Sequence, residues 1–433
     1  LISTFSKILE RVILKRLLGH LNQNELLTPR QHGFKKNKST TTAITQLVES
    51  IIDKLEEGCI ATSIFLDFSK AFDCLEHGLV IKKLRSLGIE DKEADWFKSY
   101  LSNRKQLVEL TSSSNGIIHK IKSELLPVTR GVPQGSVLGP VLYTLLTNDF
   151  PQYLEKYCKV VMYADDTALI ITEKDKEQLE INSYIAFDMA KQYCHINDLV
   201  LNEKKTQQLI FTASRNHHRG LPELEVTTST KYLGLTLDNK LSWEPHVNKL
   251  CKKLSSCLYV VRRIKQISNI DMGKSAYHSL FESHLRYGLI VWGSTTATNL
   301  QRVLVIQKRT IRALTGLRPR DSCREAFREL RILTVVALYI IDTILHSVTT
   351  GQTRTGDHHS YNTRNRHHFA LETHHLSLYE RKPSYKGAIY FNILPDSLKK
   401  TPVKHLKNSL KSWFLQQPFY TIQEFINWKS IAS

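Results

Sequence analysis

The segment 160–171 constrains the fold more than any other part of the chain, because two apolar, β-branched-rich runs flank an acidic step. This pattern predicts a β-hairpin with Asp165 and Asp166 at its turn. Adjacent carboxylates repel each other, and one of them would be driven to protonate. A bound divalent cation would remove that cost. Taken by itself, the segment leaves a solvated acidic turn as the alternative.

A second acidic segment, 64–73, places Asp67 at the end of another apolar, strand-like run. Carboxylates at two strand ends could share two Mg²⁺ ions, with Mn²⁺ as an alternative metal. Such a pair of ions clamps the attacking and leaving oxygens of a phosphoryl transfer. The sequence therefore predicts a two-metal site built from Asp67, Asp165 and Asp166.

The net charge indicates the kind of partner. The chain has 433 residues, a formal charge of +19 and a pI near 9.5, which favour a polyanion: nucleic acid first, an anionic membrane second. A membrane partner is not expected, because no apolar run reaches spanning length and the longest candidate, 333–345, contains Asp342.

The seven cysteines are scattered and never spaced as Cys-x-x-Cys, so neither a disulfide framework nor a zinc site is indicated, and a reducing compartment is expected.

Two segments near the start of the chain suggest how nucleic acid and phosphate could be bound. Apolar residues at helical spacing predict an amphipathic helix over 3–21 with a basic outer face. In 31–42, Gly33 permits a turn, and Lys35 and Lys38 precede a Ser/Thr-rich segment. This segment is the expected start of a helix over 41–57. Lysines beside a helix N-terminus predict a triphosphate clamp, with a solvated basic loop as the alternative.

The segment 129–140 combines three glycines, two prolines and Gln134 ahead of an apolar helix over 141–146. Glycines of this kind let the backbone approach a flat ligand closely, and Gly135 leaves room that a side chain would fill. Further along, helix 174–197, a strand, turn and strand over 199–211, and a strand pair over 231–237 are expected, with strands also at 106–110 and 117–121 around a turn at 112–116.

The segment 245–320 carries fourteen Lys or Arg and only two acidic residues. Its apolar residues share one helical face, so the basic residues lie on the other: Val247, Leu250, Leu254, Leu258, Val261 and Ile264. This pattern predicts a helical bundle whose basic side contacts a nucleic-acid backbone, although a solvated face is the commoner origin of such a run. A polar linker over 349–356 precedes a tail that mixes aromatic and basic residues, including Tyr361 and Arg364, which suits either single-stranded nucleic acid or core packing.

Taken in order, FLDFSKAFD (65–73), RGVPQGSVLGP (130–140), YADD (163–166), LNEKKTQQLIF (201–211) and KYLGLTLD (231–238) resemble the palm of reverse transcriptases of non-LTR, LINE-like retrotransposons. The segments 1–13 and 31–44 resemble the fingers of jockey-like elements, and the likeness continues through 278–293 and 361–366. The resemblance implies an α+β right-hand polymerase with fingers, an antiparallel palm sheet, a helical thumb and a mostly helical C-terminal region. The expected boundaries are 1–62 for the fingers segment, 63–240 for the palm, 241–320 for the thumb and 321–433 for the C-terminal region.

The resemblance also implies roles for individual residues. Asp67, Asp165 and Asp166 match the metal ligands. Phe72 matches the position that excludes a ribose 2′-hydroxyl, which disfavours RNA synthesis. Lys205 matches a lysine that protonates pyrophosphate, with Lys204 beside it as an alternative.

Four further residues match positions that bind the nucleotide: Lys35, Lys38, Gln134 and Gly135. The implied reaction adds dNTPs to the 3′-hydroxyl of a DNA primer, or of target DNA, on an RNA template. The resemblance also implies that the protein functions in the nucleus, although no nuclear import signal stands out in the sequence. A catalytically inactive nucleic-acid-binding remnant is the alternative. The chain begins at Leu1 and lacks the endonuclease that such elements usually encode, so we expect a fragment.

Overall fold

A computed structural model describes residues 2–69, 72–114, 117–212, 220–357 and 365–428 of the chain. Several residues used above lie outside the described residues: Lys70 and Ala71 of the first acidic motif, Asn115 and Gly116 of the predicted turn, and Tyr361 and Arg364 of the tail.

The chain combines helices with several antiparallel strand pairs, which is the predicted α+β class. The elements of its first half are α1 (Thr4–Gln23), α2 (Thr40–Glu56), β1 (Ile60–Leu66), α3 (His77–Ser86), α4 (Asp91–Leu101), β2 (Lys105–Gln106), β3 (Glu109–Ser114), β4 (Ile117–Lys122), β5 (Leu126–Pro127), α5 (Gly139–Leu146), α6 (Phe150–Tyr153), β6 (Lys159–Tyr163), β7 (Asp166–Glu173), α7 (Lys176–Ile196), β8 (Gln207–Phe211) and β9 (Glu225–Val226).

The elements that follow are β10 (Ser229–Tyr232), β11 (Leu235–Asp238), α8 (Glu244–Ile267), α9 (Ile270–Ala276), a π-helical turn (Tyr277–Glu282), α10 (Ser283–Arg286), α11 (Leu289–Trp292), α12 (Ala297–Thr315), α13 (Arg324–Glu329), α14 (Val335–Thr349), α15 (Pro383–Ile393), α16 (Asp396–Lys399), α17 (Val403–Gln416) and α18 (Ile422–Ile426), with 3₁₀ turns at Thr355–Asp357 and Tyr379–Arg381. None of the helices in the described ranges combines the length and apolar character needed to cross a membrane.

Local sequence accounts for most of these elements. The helices predicted over 3–21, 41–57 and 174–197 are α1, α2 and α7. Serine and aspartate caps begin two of them: the Ser3 hydroxyl accepts from the Ser6 N–H at 3.1 Å, and the Asp175 carboxylate accepts from the Gln178 N–H at 2.9 Å. The strand predicted over 106–110 is divided into β2 and β3, because Val108 pairs with Ser123 instead, donating to its hydroxyl at 2.9 Å.

The chain forms two compact units. The first comprises Leu1–Ala43, Thr62–Gln208 and His217–Val226, and the second comprises Ile44–Ala61, Leu209–Asn216 and Thr227–Ser433.

Most residues of a five-stranded sheet, in the order β6-β7-β1-β8-β9, belong to the first unit. Strand β1 is buried almost along its whole length, as expected for a central strand covered on both faces. The resemblance implied an antiparallel sheet, but β8 and β9 pair in parallel, so the sheet is mixed. The segment that leads into β9 is attached to β8 by Gln208, whose side-chain oxygen accepts from the Leu221 N–H at 2.8 Å.

Helix α1 differs from its predicted amphipathic arrangement. The apolar residues of its first half lie in solvent, with Phe5 85% exposed and Ile8 52% exposed. In its second half the predicted apolar residues Leu17 and Leu21 are buried as expected, and Glu10 is buried on the same inward side. An acidic residue therefore occupies a position that hydrophobic periodicity assigns to the outside.

The second unit is mainly helical. Its long helix α8 packs against α12 and β11, while α14 packs against α15 and α17. The predicted apolar face of α8 is confirmed, because Val247, Leu250, Leu254 and Val261 are buried.

The C-terminal segment of this unit is attached to α2 by acidic side chains. Glu49 accepts from the Ser384 N–H at 2.8 Å, and Asp53 accepts from the Lys382 ammonium at 2.6 Å. Glu56 accepts from the Leu376 N–H at 3.0 Å. The acidic side chains of α2 thus accept hydrogen bonds from backbone N–H groups and from a lysine that lie more than three hundred residues further along the chain.

Candidate active site

The acidic hairpin forms as predicted. Strands β6 and β7 are antiparallel with Tyr163 opposite Asp166, so Ala164 and Asp165 make a two-residue turn. Ala164 adopts a left-handed conformation with φ of 55°, which costs energy for a residue other than glycine. Asp165 is half-buried and Asp166 is exposed. The turn therefore presents one carboxylate in a partly shielded position and a second at the start of β7.

Residues 30–33 hold this hairpin from the side. The His32 N–H donates to the Met162 carbonyl at 2.8 Å, and the Met162 N–H donates to the Arg30 carbonyl at 3.0 Å. The side-chain oxygen of Gln31 accepts from the N–H of Ala164 at 3.0 Å. The same oxygen accepts from the Gly33 N–H at 2.7 Å. The strained turn is thus supported by a segment more than one hundred residues earlier.

Gly33 is required for a different reason than the turn predicted from sequence. A Cβ atom at this position would lie 2.5 Å from the backbone nitrogen of Ala164. Contacts this short do not occur between a real Cβ and a backbone nitrogen, so only glycine lets the two segments approach.

Asp67 follows β1 directly, and β1 lies next to β7 in the sheet. Phe68, the next residue, lines the same pocket as Asp165. The end of β1 and the hairpin turn therefore lie at the same edge of the sheet, as the sequence led us to expect.

The turn that contains Lys204 and Lys205 is attached to the backbone of Asp67. The Asn202 N–H donates to the Asp67 carbonyl at 2.8 Å, and the Asp67 N–H donates to the Thr206 hydroxyl at 3.4 Å. Both lysines are exposed. The structure thus places Lys205 near Asp67. Lys204 is exposed in the same turn, so the structure does not distinguish the two lysines.

A pocket of about 480 Å³ opens at this edge. Segments that are far apart in sequence line it: Phe34, Phe68, Phe72, Asp73, Val132, Pro133, Gln134, Gly135, Ser136, Gly139, Pro140 and Asp165. Four of the predicted site residues therefore share one cavity, namely Phe72, Gln134, Gly135 and Asp165.

The loop 130–140 forms one wall of the pocket. The Val132 N–H donates to the Phe72 carbonyl at 3.1 Å, and the Gln134 amide donates to the Asp73 carboxylate at 3.1 Å. Gly135 has φ of 78°, and a Cβ there would meet no atom within 4 Å. Its backbone conformation, rather than crowding, is what favours glycine at this position.

Phe72 is backed by a buried tyrosine from α5. The rings of Phe72 and Tyr143 lie 5.0 Å apart between centroids and are tilted by 47°. Burial raises the pKa of the Tyr143 hydroxyl well above its usual value, and the charge of Asp165 adds to the rise. Tyr143 is thus a neutral, apolar support for Phe72 next to the acidic turn.

The two lysines expected to bind triphosphate are not part of the pocket lining. The Lys35 ammonium donates to the Thr28 carbonyl at 3.4 Å and lines a much smaller cavity with Leu18 and Val141. Burial lowers the pKa of Lys35, and the charge of Lys38 lowers it further. Lys38 is exposed. Their contact with a triphosphate stays a prediction.

The three acidic residues supply oxygen ligands of the type that Mg²⁺ prefers. Within the described ranges, however, no three His, Cys, Asp or Glu side chains are grouped so that they could hold a metal ion. The strand ends therefore carry side chains of the right chemistry, but in the described parts of the chain these are not assembled into a complete set of metal ligands. The ligand role of Asp67, Asp165 and Asp166 stays a prediction.

Sequence reasoning missed three residues with contacts at this site: Gln31, Asp73 and Glu10. Asp73 is the last acid of the first motif and could have been noticed there. Gln31 accepts from the Ala164 N–H, and Glu10 of α1 accepts from N–H groups in 137–138, and no local pattern indicates such distant partners.

A family model described as reverse transcriptase (RNA-dependent DNA polymerase) matches residues 1–237, which is more than half of the chain. The chain belongs to this reverse transcriptase family, and the resemblance stated from its motifs is confirmed.

Relatives from mobile elements give a narrower comparison. The chain is 28% identical over 332 residues to the probable RNA-directed DNA polymerase from transposon BS of Drosophila melanogaster, covering 73% of this chain and 35% of that protein. It is 27% identical over 351 residues to the RNA-directed DNA polymerase from mobile element jockey of the same organism, covering 77% of this chain and 37% of that protein. The chain thus spans little more than a third of the length of these relatives.

A telomerase from Candida tropicalis, whose structure was solved in complex with a fragment of telomeric RNA, aligns with 96% of this chain and 57% of its own chain. The TM-score is 0.41 and the identity is 13%.

Proposed function

We propose that this chain is an RNA-directed DNA polymerase that adds deoxynucleotides to the 3′-hydroxyl of a DNA primer on an RNA template. The single observation that carries the proposal is the pocket of about 480 Å³, where Asp165 meets Phe72, Gln134 and Gly135. Membership of the reverse transcriptase family supports the same reaction.

In this proposal the pocket receives the incoming nucleotide. Gln134 and Gly135 form the wall beside the base and sugar, because the exposed backbone at Gly135 lets a flat ligand approach. Phe72 selects deoxynucleotides by occupying the space that a 2′-hydroxyl would need. Its support by Tyr143 keeps the ring from moving aside.

Asp67, Asp165 and Asp166 would hold Mg²⁺, which when bound favours ionisation of the primer hydroxyl and neutralises the triphosphate. The residues of the chain itself position that chemistry: residues 30–33 keep Asp165 at the mouth of the pocket, and the 202–206 turn holds the backbone of Asp67. Lys205 is the candidate donor of a proton to the leaving pyrophosphate.

The second unit would bind the template and primer backbone. Helix α8 buries its apolar face and exposes Lys252, Lys253, Arg262 and Arg263 on the other. Such a basic face binds phosphates without reading sequence, so binding weakens as salt rises.

A second candidate function is that of a nucleic-acid-binding remnant without catalysis. It requires only the basic face of α8 and no acidic site. Exposed basic residues on α8 would serve either function equally.

Primer extension on an RNA template, with dNTPs and Mg²⁺, separates the two candidates. The wild-type chain should extend the primer, and Asp165→Asn should reduce extension by at least about 100-fold while binding of primer and template is kept. Glu155→Gln is the matched control, since Glu155 is exposed and lies outside the pocket lining.

Extension by Asp165→Asn at the wild-type rate would contradict the proposed active site. Binding of primer and template by the wild-type chain without any extension would instead support the remnant.

A further inference from the structure

A buried glutamate in α1 is hydrogen-bonded to the far end of the pocket loop. Glu10 is only 3% exposed. Its Oε2 accepts from the N–H of Val137 at 2.5 Å and from the N–H of Leu138 at 3.1 Å. A buried carboxylate is costly unless such donors satisfy it, and the adjoining N-terminus of α5 further favours a negative charge. Glu10 and the end of the loop therefore depend on each other.

The loop between its two anchors consists of pocket residues. At its start, the Gly131 N–H donates to the Leu75 carbonyl at 2.7 Å, and the Val132 N–H donates to Phe72. At its end, Val137 and Leu138 are held by Glu10. The intervening residues, 133–136, all line the pocket. The position of this wall is consequently set from both ends.

Glu10 is shielded from solvent, so its charge acts strongly on neighbouring groups. Burial, with a contribution from the negative charge of Glu10, raises the pKa of the nearby Tyr100 hydroxyl to about 12. Hydrogen bonds to a charged group are stronger where water is excluded, and leaving the two N–H groups without an acceptor there is correspondingly costly.

We infer that Glu10 is a positioning residue that sets the shape of the nucleotide pocket through loop 130–140. Glu10 does not line the pocket itself. This inference rests on the proposed polymerase function. Losing Glu10 should therefore weaken the apparent affinity for dNTPs and the discrimination between correct and incorrect bases, while binding of primer and template stays unchanged.

Two substitutions and one control test the inference. Glu10→Ala removes both accepted hydrogen bonds and should raise the KM for dNTP by about 10- to 100-fold. Glu10→Gln keeps an oxygen that can accept from both N–H groups but lacks the charge, and should recover part of that loss. Ser3→Ala is the control, because it removes the N-terminal cap of α1 without touching Glu10, and it should leave the KM for dNTP unchanged.

Amide hydrogen exchange reports on the loop without requiring activity. Glu10→Ala should speed exchange in a peptide that covers 130–146, and Ser3→Ala should not. Equilibrium binding of a dNTP to the same variants gives a second readout. A purely structural role of Glu10 would lower the melting temperature without changing either the dNTP affinity or the pattern of misincorporation.

The outcomes are distinct. If the wild-type chain extends primers but Glu10→Ala has normal dNTP affinity, KM and loop exchange, the inference is wrong and the proposed function stands. If Ser3→Ala reproduces the effect of Glu10→Ala, the whole helix rather than Glu10 positions the loop, and the inference is again wrong. If the wild-type chain never extends primers, the proposed function fails, and exchange together with dNTP binding still decides the role of Glu10.

Discussion

The side-chain oxygen of Gln31 accepts a hydrogen bond from the backbone N–H of Ala164 at 3.0 Å. Ala164 is the left-handed residue of the turn that carries Asp165, so a side chain from the first segment of the chain stabilises a strained turn in the sheet. Gln31 is itself buried. The orientation of Asp165 is therefore determined jointly by the hairpin and by residues 30–33.

Gly33→Ala should disrupt this arrangement. The new Cβ would lie 2.5 Å from the Ala164 nitrogen, and neither backbone can move away without breaking the pairing of 30–33 with Met162. We expect a loss of stability of about 1–3 kcal/mol. Displacement of Asp165 by about 1 Å should reduce primer extension by about 100-fold. Steady-state extension and thermal melting measure the two effects.

Gly19→Ala is the control for this substitution. A Cβ at Gly19 would meet nothing within 4 Å, and alanine in the interior of α1 should stabilise the chain by about 0.5–1 kcal/mol. Unchanged extension by Gly33→Ala would show that the close approach of the two segments has no role in the site.

Local patterns were sufficient to predict the elements that carry the site. The hairpin β6–β7, the turn after Leu201 and the pair β10–β11 were predicted because alternating or β-branched runs around short polar turns have one dominant structure. Hydrophobic periodicity likewise predicted which face of α8 is buried.

The arrangement of α1 could not be predicted in the same way. Its stripe of Phe5, Ile8 and Leu9 is exposed, and the buried face carries Glu10 instead. The burial of Glu10 depends on two backbone N–H groups that lie 127 and 128 residues further along the chain. A helical period contains no information about such a partner. The pattern therefore predicts the helix and the burial of Leu17 and Leu21 correctly, but not the orientation of its first half.

Tyr143 should determine how well Phe72 excludes ribonucleotides. Replacing Tyr143 with alanine removes the ring that lies 5.0 Å from Phe72, and the phenylalanine could then move into the space. We expect the preference for dNTP over rNTP, measured as the ratio of kcat/KM values, to fall by at least about tenfold. Stability should fall by about 3–5 kcal/mol, because a large buried ring is lost.

Tyr143→Phe separates the ring from its hydroxyl. The buried Tyr143 hydroxyl has no hydrogen-bond partner among the described residues, so its removal should leave both the nucleotide preference and the stability unchanged or slightly improved. A normal preference in Tyr143→Ala would mean that Phe72 does not depend on this support.

Lys205 and Lys204 can be distinguished by single substitutions. Both are exposed in one turn, and the resemblance assigns proton transfer to Lys205. If Lys205 protonates the leaving pyrophosphate, Lys205→Ala should slow the chemical step by about 100- to 10,000-fold, and Lys204→Ala should change it little. Single-turnover rates of nucleotide addition measure this step. Equal losses in the two variants would indicate a shared electrostatic effect, and a loss only in Lys204→Ala would move the role to that residue.

His246 should make the stability of the second unit depend on pH. The imidazole is 8% exposed in α8, its Nδ1 accepts from the Thr236 N–H at 3.4 Å, and its ring lies 5.9 Å from that of Trp292. Burial, together with the charge of Lys249, lowers its pKa from 6.5 to about 4. The folded chain therefore keeps His246 neutral in a pH range where the unfolded chain protonates it.

Because the unfolded state binds the additional proton, the free energy of unfolding should fall as the pH drops from 6.5 to about 4, and this contribution should level off below that pH. The full change is on the order of 3 kcal/mol. His246→Gln cannot titrate, so the difference in unfolding free energy between it and the wild type should shift by this amount across the window. His405→Gln, at an exposed histidine, should run parallel to the wild type. Parallel curves for His246→Gln and the wild type would show that this buried imidazole does not control acid sensitivity.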